Sequence, residues 1–123
     1  ILIKDNHITA AGGVSKAIES IRASAPHTLK IEVEIKDFNQ LDEAITSKAD
    51  IIMLDNMDPG QMGRAVKIIK EKRGSSCLVE ASGNINLRNL EEICKTGVDM
   101  ISVGLITHSA PAIDFSLEFK ENL

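Results

Sequence analysis

Aromatic side chains are nearly missing from this sequence: three Phe, no Trp and no Tyr among 123 residues. A surface that binds single-stranded nucleic acid stacks bases on such rings, so this one is not expected to. An excess of positive charge is missing too. The formal net charge of -4 argues against non-specific attraction to nucleic acid or to an anionic membrane, although a local phosphate site needs only a few donors. Cysteine is scarce. Cys77 and Cys94 lie far apart without CxxC spacing, which suits a reducing compartment and two buried thiols better than a disulfide framework. His7, His27 and His108 have no metal-ligand spacing among themselves or with the cysteines, so no zinc site is expected. Apolar runs stay far below the roughly 20 residues that cross a bilayer, no basic leader or anchor is seen, and a cytoplasmic location follows as the expectation. There is also no turn before the first strand. Ile1-Leu2-Ile3-Lys4 already reads as one, so the chain is expected to be cut from something longer.

What is present suits one soluble domain: 43% hydrophobic and 26% charged residues. Short apolar runs alternate with longer amphipathic segments. Strands are expected at Ile1–Lys4, Lys30–Ile35, Asp50–Asp55, Cys77–Ser82 and Asp99–Gly104. Between them, Val14, Ala17, Ile18 and Ile21 recur at helical spacing within Gly13–Ala25. Leu41, Ala44 and Ile45 do so within Phe38–Ser47. Asp58-Pro59 opens a third helix with a cap and a proline at its first position, and Met62, Ala65, Val66 and Ile69 form its apolar stripe up to Gly74. Asn86 is expected to cap a fourth helix, with Leu90, Ile93 and Cys94 inward and Gly97 as its stop; Pro111–Leu123 reads as a further helix or an irregular extension. Strand and helix in strict alternation imply an α/β fold with parallel strands and right-handed crossovers.

The strands are not apolar on both faces, as a doubly wound sheet requires. Lys30, Glu32 and Glu34 share one side of the second strand, Glu80 and Ser82 one side of the fourth, and Ser102 and Gly104 one side of the fifth. Helices on one face and charges on the other suit a barrel wall, with polar alternates in the lumen. A partial (β/α) barrel is therefore expected, since closure takes about eight strands.

In such a barrel the C-terminal strand ends surround the active site. Here they carry Lys4-Asp5-Asn6-His7, Glu34, Asp55-Asn56, Ser82-Gly83-Asn84 and Ser102-Val103-Gly104. Small residues at Ser82-Gly83-Asn84, with Gly104 on the neighbouring strand, let backbone N–H groups approach a phosphate; an ordinary turn uses the same residues. Glu34 and Asp55 end adjacent strands, so their carboxylates are placed to hold Mg²⁺, to accept from sugar hydroxyls or to stabilise positive charge at an anomeric carbon. An internal salt-bridge lattice with Lys4 and Lys30 is the structural alternative, and Glu32 and Glu80, deeper on the same faces, are expected to belong to it. Lys4 suits either a point charge for an anionic substrate or a Schiff-base nucleophile, and nothing local decides between them. His7 reads as a structural hydrogen-bonder in a loop.

Five strings, Ile3–Ile8, Ile31–Glu34, Met53–Met57, Glu80–Ile85 and Thr96–Gly104, followed by Leu105–Ala110, resemble the quinolinate phosphoribosyltransferase family in order and spacing. The resemblance runs from the first residue to about Phe119. It implies a type II phosphoribosyltransferase: an incomplete α/β barrel preceded by an α/β sandwich domain, with residues 1–123 as the C-terminal part of the barrel and the sandwich and first barrel segment absent. It implies transfer from phosphoribosyl pyrophosphate to quinolinate with Mg²⁺, with release of pyrophosphate and CO₂ to give nicotinate mononucleotide for NAD biosynthesis. It implies a homodimer or higher homo-oligomer, because the sandwich domain of one subunit completes its partner's site. Lys4 resembles the lysine that contacts the substrates, Glu34 and Asp55 the carboxylates near ribose and metal, and Ser82, Gly83, Asn84 and Gly104 the phosphate cradle. Many relatives have a second glycine where this chain has Asn84; Asn tolerates left-handed backbone, so the cradle is expected to survive. The arginines and histidine-arginine pair that bind the quinolinate carboxylates lie upstream of Ile1. The isolated chain is therefore expected to be nearly inactive. A relative acting on another aromatic acid, a lyase-type barrel using Lys4, and a non-catalytic truncated scaffold that dimerises through strand edges are the alternatives.

Overall fold

Parallel strands covered by helices on one face only require side chains that alternate between apolar and other, and that alternation organises the computed structural model, which describes residues 1–108, 112, 113 and 115–117. Its strands are β1 (Leu2–Ile3), β2 (Glu32–Ile35), β3 (Ile51–Asp55), β4 (Leu78–Ser82) and β5 (Met100–Ile101). They form one parallel sheet in the order β1-β2-β3-β4-β5. No strand reverses that order, as a doubly wound sheet would need. The helices are α1 (Asp5–Ala11), α2 (Val14–Ser24), α3 (Phe38–Thr46), α4 (Pro59–Arg73), α5 (Leu90–Cys94) and α6 (Leu105–His108). Contacts of α2 with α3, α3 with α4, and α4 with α5 make one outer layer. The architecture is the expected wall of a (β/α) barrel. No helix among the described residues is long and apolar enough to cross a membrane.

The core lies between sheet and helices. Val33, Ile35, Ile52, Leu54, Val79 and Ala81 are fully buried there, against Val14, Ala17 and Ile18 of α2, Leu41, Ala44 and Ile45 of α3, and Met62, Ala65, Val66 and Ile69 of α4. These are the stripes that helical spacing picks out. Asp58 Oδ1 accepts from Gln61 N (2.8 Å) while Gln61 Oε1 accepts from Asp58 N (3.1 Å), which starts α4 with a reciprocal cap.

One joint occurs twice at the N-terminal edge of the sheet. Just before β3, Asp50 Oδ2 accepts from Ile31 N (2.9 Å) and lies 3.7 Å from the Arg22 guanidinium. Just before β5, Asp99 Oδ2 accepts from Val79 N (2.8 Å) and from the Lys70 ammonium (2.8 Å). Burial opposes the Asp99 charge, but the Lys70 and Val79 bonds outweigh it and hold its carboxyl below the usual range. Each joint pins a new strand to the preceding one and to the last turn of a helix.

Several expectations are corrected. Asp5 to His7 are not loop but the first turn of α1, where His7 Nδ1 accepts from Lys4 N (3.0 Å). The fourth helix starts later than Asn86: α5 begins at Leu90, after Asn89, while Asn86 Oδ1 accepts from Arg88 N (2.9 Å) and the Asn86 carbonyl from Leu90 N (3.0 Å), so Asn86 caps the turn that leads into the helix. Cys77 is buried as expected, whereas Cys94 is exposed rather than inward. The concave face is less polar than foreseen, because Ile51 and Met53 occupy it on β3. The fifth strand is limited to Met100–Ile101. The tail Pro111–Leu123 falls mostly outside the described residues.

The expected salt-bridge lattice also gives way. Among the described residues no ion pair joins Glu32 or Glu80 to Lys4 or Lys30. The two carboxyls face each other across β3 instead; Glu80 accepts from Ser102 Oγ, and Glu32 Oε1 is buried without a partner among the described residues. Burial, then the charge of Glu80, push Glu32 up to about 7. An unfolded chain releases that proton near 4.5, so stability is unaffected below that pH, falls as pH rises toward 7, and stays reduced above it. Glu32→Gln, which keeps position 32 uncharged at every pH, is expected to raise Tm by about 3 °C at pH 8 and to change it little at pH 4.5, read by circular dichroism. Asp99→Ala is expected to cost about 2 kcal/mol in chemical denaturation, because it strands Val79 N and Lys70 together.

Candidate functional site

Parallel pairing brings the C-terminal ends of all the strands to one rim. Glu34 pairs in register with Met53, and Asp55 with Ser82, so the ends of β2, β3 and β4 stand side by side. β1 ends next to β2, with Lys4 exposed directly after it. Burial raises the Glu34 carboxyl above its ordinary pKa, the neighbouring Asp55 charge adds to this, and Lys4 and Lys36 pull it back. Lys4, Glu34 and Asp55 therefore share one electrostatic neighbourhood. Asp5 stands at its border, its carboxyl lowered by the hydrogen bond from Lys36 (2.9 Å).

Beside this group, beyond the ends of β4 and β5, lies a cleft of about 480 Å³. Ser82, Gly83, Asn84, Ser102, Gly104 and His108 line it, with Asn86 at its side. All four phosphate-cradle candidates thus meet in one concavity; Asp55 stands next to it at the end of β3, and Glu34 and Lys4 follow farther along the rim on β2 and after β1. The backbone N–H groups of Gly83 and Asn84 have no acceptor among the described residues, leaving them free to donate to an anion. A Cβ on Gly104 would stand 3.5 Å from the His108 ring, an ordinary contact, so the glycine's effect is to leave space in the cleft.

The loop after β4 is tightly determined. Gly83 (φ +88°) and Asn84 (φ +52°) are left-handed, and so is Asn56 (φ +55°) at the end of β3. A Cβ on Gly83 would collide with the Asn56 side chain. Asn56 Nδ2 donates to Asp55 Oδ1 (2.7 Å), and Asn56 Oδ1 accepts from Asn84 Nδ2 (2.8 Å). The Asn84 carbonyl accepts from Asn89 Nδ2 (3.0 Å) and Asn86 Nδ2 (3.2 Å).

Two residues of the rim escaped the sequence reading. His108, rejected as a metal ligand and otherwise read only as part of the family-like string Leu105–Ala110, reaches the cleft because α6 carries it one turn beyond Gly104, where its N–H donates to the Gly104 carbonyl (2.9 Å). The four-residue spacing from Gly104 was the available signal. Asn56 was seen as a strand end without a role; its left-handed backbone has no sequence signal beyond its being Asn.

Residues 1–118 match the family described as Quinolinate phosphoribosyl transferase, C-terminal domain. The chain is 42% identical over 118 residues to the human nicotinate-nucleotide pyrophosphorylase [carboxylating], covering 96% of this chain and 39% of that protein. It is 45% identical over 121 residues to a probable enzyme of the same name from Methanocaldococcus jannaschii, covering 96% of this chain and 42% of the relative. Its fold superposes on the nicotinate-nucleotide pyrophosphorylase structure from Francisella tularensis with a TM-score of 0.78 at 43% identity, over 92% of this chain and 39% of the other. The chain thus spans well under half the length of the relatives it matches.

Gly83→Ala is expected to destabilise the chain by about 2 kcal/mol, from the left-handed backbone and the collision with Asn56 together. Adding Asn56→Gly should recover the collision's share, as seen by paired thermal melts.

Proposed function

Because the chain belongs to the quinolinate phosphoribosyltransferase family, we propose that its protein transfers the phosphoribosyl group of phosphoribosyl pyrophosphate to quinolinate, giving nicotinate mononucleotide, CO₂ and pyrophosphate. The observation that carries this reading is the cleft of about 480 Å³ at the ends of β4 and β5, on the same rim as Lys4, Glu34 and Asp55. In it, the 5′-phosphate sits on the free N–H groups of Gly83 and Asn84, beside Ser82, Gly104 and His108. Glu34 and Asp55 accept from the ribose hydroxyls and stabilise positive charge at the anomeric carbon. Lys4 neutralises an anionic substrate group as a point charge. The pyridine nitrogen bonds to the anomeric carbon as the bond to pyrophosphate breaks, and pyrophosphate leaves with the electron pair. Loss of the neighbouring carboxyl as CO₂ leaves an electron pair on the ring carbon, which takes up a proton.

The donor set fits Mg²⁺. Glu34 and Asp55 supply hard oxygen ligands and repel each other, and the described residues include no cluster of three or more metal-binding side chains. A dication held by two carboxylates and by substrate phosphates suits that count. When bound, Mg²⁺ neutralises charge on the leaving pyrophosphate.

The chain is read as the C-terminal part of the barrel, preceded in the whole protein by the first barrel segment and a sandwich domain that binds the quinolinate carboxylates. A cytoplasmic homodimer or higher homo-oligomer accompanies this reading, with the partner's sandwich domain completing each site. The 123 residues alone are then expected to release almost no pyrophosphate from quinolinate and phosphoribosyl pyrophosphate. Joined to the upstream half, they should release pyrophosphate and CO₂ in equal amounts. In that joined protein, Lys4→Ala and Glu34→Gln should each lower kcat/KM by about 10²-fold or more in a coupled pyrophosphate assay. Near-normal rates in both variants would overturn the assigned roles, and normal turnover by the isolated chain would overturn the division of the site.

A further inference from the structure

One rim residue lies outside the anion cleft and yet touches every part of its loop. Asn56 N donates to the Ser82 carbonyl (2.9 Å), Asn56 Oδ1 accepts from Asn84 Nδ2 (2.8 Å), and the Asn56 side chain fills the space that a Cβ on Gly83 would need. Its remaining amide donor goes to Asp55 Oδ1 (2.7 Å). We propose that Asn56 is a positioning residue that braces the anion-binding loop Ser82–Asn84 against the end of β3 and ties that loop to the Asp55 carboxylate. The proposal rests on the reading of the cleft as a phosphate site.

Backbone conformation supports it independently. Asn56 and Asn84 both hold left-handed φ angles that L side chains adopt at a cost. Such strain persists where surrounding contacts over-determine it. Here those contacts are the amide-to-amide bond between the two residues and the fit of Asn56 against Gly83. A glycine at position 84 would relieve one strained position and lose the bond. The asparagine therefore exchanges backbone ease for a loop fixed to its neighbouring strand. The far side of the loop is held in the same way, by Asn86 and Asn89 on the Asn84 carbonyl. Asn56 leaves Asp55 with its second carboxylate oxygen unbonded among the described residues, free for a ligand.

The test is a double-mutant cycle on the 123-residue chain, with inorganic phosphate as probe and backbone amide shifts of Gly83 and Gly104 reporting occupancy of the cleft. Asn56→Gly and Asn84→Gly are the chosen changes, because glycine accepts both left-handed positions without strain. Asn56→Gly should weaken phosphate binding by about tenfold when Asn84 is present, and by no more than about twofold in the Asn84→Gly background, since the linking bond is already gone. An equal loss in both backgrounds, or no loss in either, would overturn the proposal. A second measurement needs no change at Asn56. Phosphate should slow solvent exchange of the Asn56 side-chain amide protons in the unaltered chain and leave it unchanged in Asn84→Gly; equal behaviour in the two would also overturn the proposal. Absence of phosphate-induced shifts at Gly83 and Gly104 in the unaltered chain would instead remove the phosphate reading, and the proposal with it.

Discussion

Successive side chains of a strand must point to opposite faces, and in this sheet only one face is roofed by helices. Val33, Ile35, Ile52, Leu54, Val79 and Ala81 are driven to the roofed face because each loses contact with water there. Their neighbours have no choice. Glu34, Asp55 and Ser82 emerge on the concave side and at the rim because the residues before them are committed to the core. A slip of one residue in any strand would exchange the two sets, so the register that seals the core is the same register that assembles the site. The core thus acts as the positioning device for Lys4, Glu34, Asp55 and the loop after Ser82.

Much of this was legible in the residues, for reasons that also explain what was not. The apolar stripes of α2, α3 and α4 are long enough for helical periodicity to show, and each is buried as its spacing requires. The seven-residue α1 offers one buried side chain, Ile8, which leaves no period to read. The start of α5 lies beyond Asn86 because Asn86 and Asn89 close a turn on each other before the regular helix begins, and the residue types alone do not show how long that turn is. The meeting of Glu32 with Glu80 depends on the curvature that brings β2 and β4 together over β3, a property of the sheet rather than of any strand. At the rim, strand ends named Glu34, Asp55, Ser82, Gly83, Asn84 and Gly104 correctly as neighbours. The grouping of the last four as one cradle matches the cleft they line; that none of Lys4, Glu34 and Asp55 opens into the same cleft was not legible, because it depends on the curvature of the sheet.

The rim and the lumen treat polar groups in opposite ways. At the rim, charges of both signs lie together: Lys4 and Lys36 offset Glu34, Asp55 and Asp5, and water reaches most of them. Deeper in the concavity, Glu32 and Glu80 meet without an ion pair to lysine among the described residues, and burial together with the second carboxyl disfavours the charge of Glu32. Charge is thus balanced by opposite charge at the rim and disfavoured where strands must close on one another.

The two aspartate joints, Asp50 and Asp99, sit at the opposite border from the rim and recur every second strand. Each makes a strand pair, with the helix whose last turn supplies the cation, into a unit locked at its base. Loops at the top can then diverge in sequence while the seams below keep their spacing. A wall of this kind grows by repetition of its lower seam, and acquires new chemistry by variation of its upper border alone.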